Sequence, residues 1–120
     1  VANDIRTIEQ DDDGLTYLWL AQESPEPVRY VTIVRSTDPQ EDVYVERDGQ
    51  CWACYGGIKR IELSPQGMAI HLNEKGLEKL GSVEWLDVTF DQEAQPDQER
   101  IRTLLGVLFG EGSPVLSGLR

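Results

Sequence analysis

The sequence predicts an α+β fold: a mainly antiparallel sheet of six to eight strands with two helices towards the C-terminus. Short segments of alternating apolar residues fill most of the first ninety positions, and turn sequences join them, which is typical of hairpin-linked strands. Residues 98–109 instead place apolar residues at helical spacing. A length of 120 residues fits one domain, so we treat residues 1–120 as a single domain.

The first predicted hairpin pairs residues 5–10 with residues 15–21. Its turn is Asp11-Asp12-Asp13-Gly14, and Asp-Gly favours hairpins because both residues tolerate a positive φ. Two prolines in residues 24–27 then predict a loop, since proline cannot donate a hydrogen bond to a neighbouring strand. Residues 30–34 form a third predicted strand, and residues 36–42 form another loop.

A second hairpin is predicted over residues 43–55, with Asp48-Gly49 as a two-residue turn. This turn pairs Val45 with Trp52 and Tyr44 with Ala53. Because side chains alternate between faces, one face is predicted to belong to the core. It carries Val43, Val45, Trp52 and Cys54. The other face is predicted to be half solvated. It carries Tyr44, Glu46, Cys51, Ala53 and Tyr55.

Strands are also predicted over residues 58–63, 68–72 and 83–90. Between the last two, Asn73 is placed to cap a short helix over residues 74–80. Gly76 lies inside that helix and costs about 1 kcal/mol relative to alanine, so the helix must depend on packing.

The second helix is predicted over residues 98–109, capped by Asp97 and ended by Gly110. Its apolar residues follow the i, i+3, i+4, i+7 spacing of an amphipathic helix, which should cover one face of the sheet. They are Ile101, Leu104, Leu105 and Leu108. The tail after Glu111 is rich in glycine, serine and proline and is predicted to be loosely held.

Acidic residues outnumber basic ones by 22 to 11, which gives a net charge of −11. The first fifty residues hold 12 acids and 4 bases, a net charge of −8. Such a charge disfavours binding to nucleic acid or anionic membranes and attracts basic partners, although solubility alone would also explain it. The sequence shows neither a membrane span nor a signal peptide, so we expect a cytoplasmic protein; residues before Val1 could have been removed.

No motif predicts a catalytic, cofactor or metal site. Cys51 and Cys54 have the spacing of a metal or redox pair, but residues three apart on a flat strand point to opposite faces. The turn Asp11-Asp12-Asp13-Gly14 lacks the alternating acids and the distal glutamate of a calcium loop. His71 is the only histidine and has no nucleophile motif around it, so we expect it to be structural or exposed.

The aromatic residues are divided between core and surface. Trp19, Trp52 and Trp85 lie in predicted strands, where aromatic residues are usually buried, so all three are expected in the core. Tyr44 and Tyr55 share the half-solvated hairpin face with Glu46. Exposed tyrosines beside an acid are typical of protein-binding surfaces, so Tyr44, Glu46 and Tyr55 are the predicted partner-binding residues.

Roughly residues 42–91 resemble the Immunity protein 10 family of bacterial polymorphic toxin systems. The resemblance is carried by Asp42-Val43-Tyr44-Val45-Glu46, Cys54-Tyr55-Gly56-Gly57-Ile58, Ile61-Glu62-Leu63, Met68-Ala69-Ile70-His71-Leu72, Leu80-Gly81 and the strand from Trp85 to Asp91. It implies an α+β fold, no enzymatic activity, and a cognate toxin encoded nearby as the partner. The acidic charge would suit a basic toxin such as a nuclease.

Two other functions stay open at this point. The protein could be a structural or adaptor domain that is acidic only for solubility. It could also be a small hydrolase that uses carboxylates or a metal, since acid pairs are plentiful. A homodimer is also open, because an exposed sheet edge could pair with a second copy.

Overall fold

In the computed structural model, the described residues are 2–22, 29–38, 40–49, 51–81, 85–94, 96–117 and 119. Within them, eight strands and two α-helices follow one another in the chain. The strands are β1 (Asp4–Ile8), β2 (Thr16–Gln22), β3 (Arg29–Arg35), β4 (Tyr44–Arg47), β5 (Ala53–Tyr55), β6 (Ile58–Ser64), β7 (Gly67–Leu72) and β8 (Trp85–Thr89). The helices are α1 (Glu74–Lys79) and α2 (Gln98–Phe109). The predicted α+β class and strand number are confirmed.

Strands β1 to β5 form one antiparallel sheet in chain order. The acidic turn between β1 and β2 closes as expected. The Asp11 carboxylate accepts hydrogen bonds from the backbone N–H groups of Asp13 (2.9 Å) and Leu15 (2.8 Å). Gly14 adopts a φ of 80°, which favours glycine. The turn sets the register that places Arg6 opposite Trp19.

The predicted register of the β4–β5 hairpin is wrong by two residues. Tyr44 lies opposite Tyr55, and Arg47 donates a backbone hydrogen bond to the Trp52 carbonyl at 3.0 Å. The connection between Arg47 and Trp52 is therefore a longer loop, which includes Asp48, Gly49 and Cys51. Asp48 is held by β3, because its carboxylate accepts a hydrogen bond from the Tyr30 N–H at 2.9 Å. The contact with β3 therefore holds Asp48 away from the two-residue turn that was predicted for the hairpin alone.

Strands β6, β7 and β8 form a second antiparallel sheet. The chain near the N-terminus connects the two sheets. Ala2 forms a parallel bridge with Phe90, donating to the Thr89 carbonyl (2.7 Å) and accepting from the Asp91 N–H (2.8 Å). The next residue, Asn3, donates to the Ala21 carbonyl in β2 at 2.9 Å.

Helix α1 packs between the two sheets, against β5 and β7. Asn73 caps it as predicted, since its side-chain oxygen accepts from the Gly76 N–H at 2.9 Å. The same side chain donates to the Gly56 carbonyl at 2.7 Å. Asn73 thereby fixes the helix against the chain that leaves β5.

Helix α2 begins after the predicted cap Asp97 and ends before Gly110. The four apolar residues predicted to form its stripe are all buried, and the helix packs against β1, β2 and β3. Arg35 donates to the Leu108 carbonyl at 2.9 Å. A cation at this end of a helix is favourable, because it meets unpaired carbonyls and the negative end of the helix dipole.

The core joins the inner faces of both sheets to α2. Its largest fully buried side chains are Leu18, Leu20, Ile33, Ile61, Met68, Ile70, Leu80, Phe90, Ile101, Leu104, Leu105 and Leu108. The described part of the tail is packed rather than loose, because Pro114–Leu116 form a short 3₁₀ helix next to β6. Among the described residues, no helix is long and apolar enough to cross a membrane.

None of the three tryptophans lies in the core, contrary to the prediction. Trp52 is 39% exposed, because the shifted register places it beyond the core, where it packs on the Arg47 guanidinium at 4.8 Å. Trp85 is 48% exposed at the start of β8. Trp19 is half-buried and lies on the side of its sheet that faces away from the core.

Candidate protein-binding face

One side of the five-stranded sheet faces away from the core, and we call it the outer face. By strand register it carries Asp4, Arg6, Ile8, Tyr17, Trp19, Ala21, Tyr30, Thr32, Val34, Tyr44, Glu46, Ala53 and Tyr55. All four tyrosines of the chain are among these residues, together with one of its three tryptophans. Helix α2 packs on the opposite side, where Leu18, Leu20 and Ile33 are buried.

Four of the five aromatic residues of the outer face form two pairs. Trp19 stacks on Tyr30, with ring centroids 4.7 Å apart and an interplanar angle of 19°. Tyr44 and Tyr55 lie opposite each other on β4 and β5, with ring centroids 5.0 Å apart. The Trp19 indole donates to the Asp4 carboxylate at 3.0 Å, which fixes the edge of the first pair.

Glu46 lies between the two aromatic pairs. One of its carboxylate oxygens accepts a hydrogen bond from the Tyr44 hydroxyl at 2.5 Å, and the other accepts from the Tyr30 hydroxyl. Its neighbours across the strands are Thr32 and Ala53, whose side chains are short. Glu46 therefore positions a tyrosine from each pair.

The three residues predicted to bind a partner thus lie together, and their role in binding stays a prediction. Tyr44, Glu46 and Tyr55 share a face despite the wrong register, because a shift of two residues leaves every side chain on the same side. Trp19 and Tyr30, which lie beside these three residues, were not among the predicted binding residues. The alternation of side chains indicates which residues share a face within one strand. No local feature of the sequence indicates that β3 lies beside β4, and this pairing brings Tyr30 close to Glu46.

The two tyrosines that donate hydrogen bonds to Glu46 both have raised pKa values. The hydrogen bond to Glu46, followed by burial and the charge of that carboxylate, raises the pKa of Tyr30 to about 12. Burial and then the hydrogen bond to Glu46 raise the pKa of Tyr44 well above its ordinary value. Both hydroxyls are therefore neutral hydrogen-bond donors at physiological pH.

These pKa values predict a loss of stability in strong alkali. A folded pKa above the unfolded value of 10.0 means that the contribution is complete below pH 10 and is lost as the pH rises towards 12. We expect the urea midpoint to fall across that interval, and to fall less steeply in the double variant Tyr30→Phe/Tyr44→Phe. Circular dichroism at fixed pH values would measure it; identical slopes would show that other groups titrate.

A second exposed surface lies on the three-stranded sheet. Trp85 lies beside His71, with ring centroids 5.9 Å apart. Glu62 contacts both the Arg60 guanidinium (2.8 Å) and the His71 ring nitrogen Nε2 (3.4 Å). His71 is thus half-buried within a charged surface cluster, and no nucleophile motif accompanies it.

A cleft of about 520 Å³ separates β8 from one end of the five-stranded sheet. Its described lining contains no histidine, cysteine or serine. The ionisable side chains are Arg29, Tyr30, Arg47, Asp48 and Asp87. Both arginines contact the Asp48 carboxylate, at 3.3 and 3.4 Å. The charges that converge here are largely paired within the protein.

The two cysteines differ in burial, and they are not joined by other potential metal ligands in the described parts of the chain. Cys51 is exposed and Cys54 is buried, and burial raises the pKa of the Cys54 thiol. The two residues differ because Cys51 lies in the loop rather than on the predicted strand. Over the described parts of the chain, no three histidine, cysteine or acidic side chains come close enough to hold a metal ion.

The chain matches a protein-family model over most of its length. The model of the family described as Immunity protein 10 matches residues 1–99, which contain all eight strands, α1 and the whole outer face. Neither a curated protein nor a solved structure matches the chain. Since the match covers most of the chain and agrees with the resemblance found in the sequence, the chain belongs to the Immunity protein 10 family.

Proposed function

We propose that this protein neutralises a cognate toxin by binding it directly through the outer face. The observation that carries the proposal is the gathering of every tyrosine of the chain, with Trp19, on one open side of a sheet. Aromatic residues are enriched at protein interfaces and in the contacts that contribute most to affinity. Membership of an immunity protein family makes a toxin the expected partner.

The position of the acids supports a basic toxin. The turn over residues 11–14 lies against Thr37, in the segment that joins β3 to β4, since a Cβ on Gly14 would lie 2.7 Å from the Thr37 methyl group. Asp42 packs next to Gly56, the neighbour of Tyr55. These loops bring Asp11, Asp12, Asp13, Asp38, Glu41 and Asp42 to the end of the sheet beside the Tyr44–Tyr55 pair.

Acids beside an aromatic interface would speed the approach of a positively charged partner. A nuclease toxin fits this description, because its cleft must hold phosphate groups. Fast association matters for an antidote, since the toxin has to be bound before it acts. The proposed site of this encounter is the cytoplasm.

The experiment uses the protein encoded by the adjacent gene. Mixing the two purified proteins should give a stable complex in size-exclusion chromatography, and toxin activity should disappear at a stoichiometric ratio. Inactivation of many toxin molecules by one molecule of this protein would instead show an enzyme. If a toxin-like neighbour forms no complex, the adaptor role is favoured and the proposal is wrong.

A further inference from the structure

We propose that the Glu46 carboxylate and the two aromatic pairs beside it bind a single arginine side chain of the partner. This inference rests on the proposed function, because the arginine is taken to belong to the toxin. It adds the chemistry of the anchoring contact, which the family match does not provide. We call this group of Trp19, Tyr30, Tyr44, Glu46 and Tyr55 the Glu46 cluster.

The hydrogen bonds of Glu46 leave acceptor capacity unused. A carboxylate offers about four acceptor positions, and each oxygen of Glu46 accepts one tyrosine hydroxyl. Roughly two positions therefore remain for a donor from outside. Thr32 and Ala53, on either side in the sheet, have side chains too short to cover the carboxylate.

The electrostatics of the Glu46 cluster favour a cation over any other occupant. Ring faces carry a negative potential, and they attract guanidinium and ammonium groups within about 6 Å. A hydroxyl that donates to a carboxylate is polarised, which pushes electron density into its ring. An anion would be repelled by Glu46, and an apolar side chain would remove water from the carboxylate without replacing its hydrogen bonds.

Arginine suits the Glu46 cluster better than lysine. Its planar guanidinium can stack on a ring while its edge donates to a carboxylate, whereas an ammonium group is more strongly hydrated and does not stack. The cation of this chain on the same face is already engaged, since Arg6 contacts the Asp4 carboxylate at 2.9 Å. The same molecule shows the stacking geometry elsewhere, where Arg47 lies 4.8 Å from the Trp52 ring centre.

The test uses N-acetyl-arginine amide as the probe and N-acetyl-citrulline amide as its uncharged isostere. In ¹H–¹⁵N NMR titrations, the arginine probe should bind in the millimolar range and shift the amides of Tyr30, Tyr44, Glu46 and Tyr55. The citrulline probe should shift them at least about five-fold less, and Glu46→Gln should weaken arginine binding by a similar factor. Equal shifts from both probes, or shifts confined to the acidic loops, would overturn the proposal.

A measurement on the toxin complex separates this inference from the proposed function. If Tyr55→Ala disrupts the complex and Glu46→Gln does not, the outer face is the interface but the arginine contact is wrong. If neither variant changes the affinity for the toxin, the proposed interface and the proposed arginine contact are both wrong. Should Glu46→Gln fail to fold, the comparison of the two probes on the parent protein still tests the arginine contact. The variant Tyr30→Phe keeps the ring and the carboxylate, so it should retain most of the affinity for the arginine probe.

Discussion

Replacing Tyr55 with alanine should weaken toxin binding about 30-fold or more without unfolding the domain. The Tyr55 side chain is 46% exposed, so its removal leaves no cavity in the core. Its ring lies against Tyr44 within the proposed interface. Truncating such an aromatic anchor typically costs about 2 kcal/mol or more of binding free energy. Isothermal titration calorimetry with the toxin would measure the effect.

Trp85→Ala is the matched control for Tyr55→Ala. Trp85 is an aromatic residue of nearly the same exposure, 48%, but it lies on the other sheet. Its removal should change the affinity less than about two-fold. The opposite pattern, with binding lost in Trp85→Ala and kept in Tyr55→Ala, would move the interface to the three-stranded sheet. Unfolding of Tyr55→Ala would show that this ring is part of the core.

Replacing Gly76 with alanine should destabilise the protein by about 1–3 kcal/mol, the typical cost of inserting atoms into a packed site. Helix propensity alone predicts the reverse, a gain of about 1 kcal/mol. The tertiary contact decides the sign, because a Cβ on Gly76 would lie 2.2 Å from the Gly57 carbonyl oxygen and 3.0 Å from the Leu72 Cβ. That carbonyl cannot move freely, since it accepts a hydrogen bond from the Asn73 N–H.

Gly106→Ala provides the control within the second helix. A Cβ on Gly106 would have only the Glu111 Cγ, at 3.8 Å, within contact distance. Propensity should then prevail, and the variant should gain about 0.5–1 kcal/mol. Guanidinium unfolding of the two variants measures both effects. A Gly76→Ala protein at least as stable as the parent would show that α1 does not pack closely on the chain after β5.

The sequence determined the elements whose causes are local. The bounds of α2 were predicted correctly, because a capping aspartate, an apolar stripe and a terminal glycine all act within a few residues of each other. The face shared by Tyr44, Glu46 and Tyr55 was also correct. Side chains alternate between faces with a period of two residues, so a register error of two residues leaves the predicted faces unchanged.

Only the tertiary structure decided the features that depend on distant neighbours. The pairing of β3 with β4 brings Tyr30 to Glu46, sixteen residues away in sequence, and so completes the Glu46 cluster. The contact of α1 with Gly57 reverses the expected effect of a helix glycine. The tryptophans lie outside the core because burial depends on which element covers a strand, and spacing along the chain does not specify that element.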